Sequence, residues 1–218
     1  MLAELAISVS IGTLAFSAWY FICVHANRRK SLLILRWMEA ALAGRGHVTG
    51  IRWLSSSRFQ IDLRLPGSNF RRASFLAQLT PRELPLEWLL HRRAGCRETL
   101  TFSADLDCAP AFNLEVLNQR WEGCTAKPAK LRGTGWRFHP TGPFVMTTSQ
   151  DWKRETSSMM SSLLATREQD VLSVRFQRRS PHFSATLSLS SLPARAQCDS
   201  SLMDSLRELA TEASASPS

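Results

Sequence analysis

The apolar pattern is strongest at the start of the chain, where Leu5 to Val24 runs for 20 residues without a charge. As a helix rising 1.5 Å per residue, this run would reach roughly 30 Å, the thickness of a bilayer's hydrocarbon core. Ser8, Ser10, Thr13 and Ser17 are too mild to give it a wet stripe. Trp19 and Tyr20 stand near its C-terminal end, where aromatic rings settle at the headgroup level. The pattern predicts one membrane-spanning helix. Phe16-Ser17-Ala18 offers a small-residue cleavage site, but a signal peptide needs a positive stretch first, and the chain begins Met-Leu-Ala-Glu. An uncleaved anchor is therefore the expectation.

Residues 31–43 continue with helical spacing, Ile34, Met38, Ala41 and Leu42 falling on one side, and Gly44 and Gly46 end the run. This segment could prolong the anchor as a stalk, lie in the membrane interface or pack on the domain. The period then drops to two. Val48–Leu54 and Arg58–Leu65 predict a hairpin, in which Phe59, Ile61, Leu63 and Leu65 alternate with Arg58, Gln60, Asp62 and Arg64. Residues 72–79 predict a third strand and Leu86–Arg93 a short helix. Thr99–Leu106 and Phe112–Leu117 predict a second hairpin, and Trp136–Thr147 a strand interrupted by His139-Pro140 and Gly142-Pro143. Val171–Arg178 and His182–Leu189 predict a third hairpin. Residues 123–135 read as a loop, while 152–166, with Met159 and Met160, and 201–210 read as helices.

Hairpins alternating with single helices indicate an α+β fold: a transmembrane helix, then a mainly antiparallel sheet with helices on one face. The expected layout is an anchor over residues 1–25, a basic juxtamembrane helix over 26–45, a globular domain over 46–210 and a disordered tail over 211–218.

Charge adds an address. The net charge is +9, and residues 26–75 hold ten of the Lys/Arg against only Glu39 and Asp62. Arg28, Arg29, Lys30 and Arg36 follow the apolar run directly. Cations so placed stay on the inner side of a membrane, so the large domain is expected to be cytoplasmic, in a single-pass protein of a bacterial inner membrane. The same four residues are the expected contacts for anionic lipid headgroups. Five cysteines with no Cys-x-x-Cys are expected to be reduced thiols, which suits that compartment.

Chemical signatures are sparse. Asp105 and Asp107 stand two apart at a strand end, so both carboxylates could reach one divalent cation or share acid–base work. The ordinary reading is a solvated strand face meeting a turn. No two of the five histidines have metal-ligand spacing, and no metal or cofactor is expected. There is no Gly-x-Ser-x-Gly and no phosphate-binding glycine loop. Arg52, Arg58 and Arg64, with Trp53 and Phe59 beside them, make nucleic acid a conceivable partner, ranked below lipid. The expectation is a membrane-anchored interaction or assembly module, with a protein partner or a second copy. Small residues four apart (Ala6/Ser10, Thr13/Ser17) would suit helix pairing. The alternatives are an enzyme on a membrane-associated substrate using Asp105 and Asp107, or a domain enclosing an apolar ligand between its sheet and the Met159/Met160 helix.

Overall fold

The computed structural model of the chain describes residues 1–66, 69–110, 113–118, 137–141, 144–148, 171–189 and 207. The expected loop at 123–135, the helix at 152–166, the tail, and all but Arg207 of the helix at 201–210 lie outside these residues.

One helix, α1, spans Leu2–Leu42 without a break over 41 residues, a rod roughly 60 Å long. Its two halves differ in what surrounds them. From Leu2 to Ile22 every residue but Ser17 is exposed, including Ile7, Ile11, Leu14 and Phe21. The helix is long and apolar enough to cross a membrane. From Cys23 onward a stripe is buried at intervals of three and four: Cys23, Asn27, Ser31, Ile34, Leu35, Met38, Ala41 and Leu42. The segment beginning at Ser31 is thus the continuation of the apolar run in the same helix, and it packs on the domain. Nothing at residues 25–31 breaks the helix, because neither Gly nor Pro occurs between Thr13 and Ala43.

Among the described residues nine strands form one antiparallel sheet: β1 (His47–Ser55), β2 (Arg58–Arg64), β3 (Phe70–Gln78), β4 (Thr99–Leu106), β5 (Leu114–Asn118), β6 (Arg137–Thr141), β7 (Phe144–Thr148), β8 (Val171–Phe176) and β9 (Phe183–Ser188). A second helix, α2 (Pro85–Arg93), lies between β3 and β4. The strand order is β1-β2-β3-β4-β9-β8-β5-β7-β6. The α+β expectation holds, and so do the first and third hairpins. The predicted β4–β5 hairpin does not form. β4 pairs with β9, and β5 pairs with β8 and β7, so the β8–β9 hairpin is inserted between the two. Alternation fixes which side chains face inward but not which strand lies alongside. The single interrupted strand of 136–147 is two strands, β6 and β7, paired with each other.

The sheet has one apolar face and one polar face. Phe59, Ile61, Phe75, Leu100, Phe102, Val116, Val174, Phe176 and Phe183 share a single core with Ile34, Leu35, Met38 and Leu42 of α1. Phenylalanine rings fill its centre: Phe102 lies 4.9 Å from Phe75, 5.4 Å from Phe70 and 5.9 Å from Phe183 between centroids. Burying each such ring contributes about 1.5–3 kcal/mol. The alternate positions, among them Gln60, Asp62, Ser74, Thr101, Ser103, Ser184 and Thr186, are only partly covered.

The turn from α1 into β1 requires glycine twice. Gly44 has φ +78, and a Cβ on Gly46 would stand 2.6 Å from the carbonyl oxygen of Arg64. These two residues reverse the chain, so β1 descends beside the helix it has just left. The β1–β2 turn and the start of β4 therefore lie at the end of the sheet nearest the apolar half of α1, where Lys30 meets Glu98.

Candidate functional site

The two aspartates have different partners. Asp105 ends the polar face of β4, where its carboxylate accepts a hydrogen bond from the Ser180 hydroxyl at 2.7 Å. Asp107 lies beyond the end of β4, where its backbone N–H donates to the carbonyl of Asn69 at 3.0 Å. Its carboxylate pairs with Arg71 at 3.0 Å. Asp105 borders a polar depression of about 500 Å³ that also includes Asp62, Arg72, Ser74 and Ser103. Among the described residues no three His, Cys, Asp or Glu side chains gather as metal ligands.

The basic flank divides by role. Arg28, Arg29 and Arg36 are exposed on α1. Lys30 turns toward the domain and ion-pairs with Glu98, which also faces Arg82 at 3.4 Å. This pair belongs to a polar joint between α1 and the β3–α2–β4 connection. Asn27, 1% exposed, donates through Nδ2 to Glu83 at 3.2 Å and to the carbonyl of Thr80 at 3.4 Å. Ser31 donates to the carbonyl of Asn27 at 2.9 Å. Lower on the helix, the Trp19 indole donates to the carbonyl of Arg82 at 3.0 Å, and its ring meets Trp88 edge-on at 6.0 Å. The sequence marked Trp19 as an interfacial aromatic but gave no sign that Asn27 is a buried anchor point. A lone asparagine amid basic residues reads as solvated.

Two further surfaces stand out. The helix α2 has no buried residue, and Leu84, Leu86, Leu89 and Leu90 are all large exposed apolar side chains. β1 is an edge strand with Ile51, Trp53 and Leu54 exposed, although Trp53 rests on the buried Phe59 at 5.2 Å between ring centroids. The other edge, β6, contains Pro140, which cannot donate to a further strand. Arg52, Arg58 and Arg64 are exposed on the first hairpin.

An apolar notch of about 390 Å³ lies against α1, lined by Arg29, Lys30, Leu33, Ile34, Trp37 and Leu189. The cavity expected beneath the Met159/Met160 helix falls outside the described residues.

Cys23 is a buried free thiol and Cys108 an exposed one, whereas Cys96 is disulfide-bonded. The expectation of five reduced thiols is thereby corrected at Cys96. Irregular spacing in sequence hid a pairing made in space. No protein-family model matches the chain, and no curated protein is similar to it in sequence.

Proposed function

We propose that this chain is a membrane-anchored, non-catalytic assembly module that holds an antiparallel sheet at a fixed height above the bilayer and offers the β1 edge to a protein partner. One observation carries the reading: the helix with the composition of a membrane span is the same unbroken helix whose second half builds the sheet's core. A flexibly tethered enzyme would need no such coupling. β1 supports the partner surface because it leaves a row of backbone donors and acceptors unpaired among the described residues, flanked by Ile51, Trp53 and Leu54. The enzymatic alternative draws no support from Asp105 and Asp107, which are held by Ser180 and Arg71 respectively.

On orientation, Arg28, Arg29 and Arg36, exposed on α1 after the apolar run, favour a cytoplasmic domain. The Cys96 disulfide favours a second reading, with the domain on an oxidising side of the membrane. Affinity capture of the full-length chain from gently solubilised membranes, after cross-linking in cells, tests the module itself. A partner, or a second copy, recovered in constant proportion is the expected result. A chain that comes down alone in repeated captures overturns the proposal.

A further inference from the structure

Helix α2 has a shape that water does not explain. It is nine residues long, and helices this short are marginal in water unless one face is covered. Leu86, Leu89 and Leu90 share a face at i, i+3 and i+4, and Leu84 precedes them as the N-cap. Exposure is 69% at Leu86 and 56% at Leu90. The opposite side meets α1 through Trp88 and Trp19. Trp19 lies within the uncharged run, eight residues before Asn27, or about 12 Å further down the helix axis. α2 therefore hangs below the base of the sheet, level with the end of the span.

The cations complete the pattern. Arg92 lies over the Trp88 ring at 5.5 Å, and Arg93 follows at the last turn, on the leucine side. An apolar face, flanking arginines and a pair of tryptophans at the level where a span leaves the hydrocarbon are what an interfacial helix needs.

We infer that α2 is a second membrane contact, its leucines lying at the headgroup–acyl boundary of the leaflet that α1 leaves and its arginines on lipid phosphates. The inference rests on the reading of α1 as a membrane span. The domain then touches the bilayer at two places rather than one. With α1 fixed as the axis, the contact at α2 stops the sheet from rotating about it and sets which way β1 faces.

Nitroxide labels at single introduced cysteines test this in the full-length protein, with every reactive cysteine outside the Cys96 disulfide replaced by serine, in phosphatidylethanolamine–phosphatidylglycerol vesicles. Leu86→Cys reports α2, Ile11→Cys the span and Arg64→Cys the far end of the sheet; all three sites are exposed, so the labels leave the core intact. The expected result is loss of collision with a water-soluble nickel chelate, and gain of collision with oxygen, at positions 11 and 86 but not at 64. Protection at 11 with full nickel access at 86 overturns the α2 contact and leaves the anchor standing. Exclusion of both nickel and oxygen at 86 means that protein covers the helix, which also overturns it. Nickel access at 11 overturns the anchor and this inference together.

Discussion

Asn27 shows how much one side chain can hold. It is 1% exposed, and its amide satisfies the buried carboxylate of Glu83. Removing it leaves that carboxylate short of a donor in a site water does not reach freely. Asn27→Ala should therefore destabilise the domain by about 1–3 kcal/mol, read as a lowered melting temperature in detergent micelles. Asn27→Asp should cost more, since two carboxylates would then face each other; a melting temperature unchanged in both variants would refute the joint. Little of this was legible in the sequence, because the partner of Asn27 lies 56 residues away. For Asp105 and Asp107 the spacing was legible but the end of the strand was not. Their i, i+2 spacing places both on one side only while the strand lasts, and β4 ends at Leu106.

The elements were more legible than the contacts between them. The alternation runs through β2 and through most of β3, β4 and β9, because one face is buried and the other wet, so period two writes itself into the sequence. The helical periodicity of 31–43 was equally plain. What could not be read was its continuity with the span, since an exposed span and a half-buried stripe have different patterns though the backbone is the same. The sheet order depends on long-range pairing, and β8–β9 inserts where no local signal points. At β1 the strand lies at an open edge of the sheet, and Ile51, Trp53 and Leu54 are exposed. Ile51→Lys should abolish recovery of the partner in the capture experiment, because a charge on an edge strand blocks further pairing. Its effect on stability should stay within about 0.5 kcal/mol, as for other surface changes. Undiminished capture would remove β1 from the proposal.

For the whole molecule, the side of the membrane decides which partners are reachable. Lys30 is committed to Glu98, whereas Arg28 and Arg29 are exposed. The double variant Arg28→Gln, Arg29→Gln therefore alters the topological signal without disturbing the joint. A cysteine introduced within residues 214–218, in a background with every reactive cysteine outside the Cys96 disulfide replaced by serine, should react with a membrane-impermeant maleimide only after permeabilisation. In the double variant, part of the population should react beforehand. Strong labelling of the otherwise unaltered chain in intact cells would place the domain outside and make the Cys96 disulfide its natural companion.

A helix that passes from lipid into a protein core without a hinge also transmits angle. A span longer than the local hydrocarbon is thick accommodates the mismatch by tilting. No residue between Leu2 and Leu42 interrupts α1, so the tilt of the span is the tilt of the sheet. From Val24 to Leu42 the lever is roughly 27 Å long, and about 10° of tilt would move its far end by about 5 Å. On the proposed anchoring, bilayer thickness becomes a mechanical input, and the angle of the sheet to the lipid surface becomes its output.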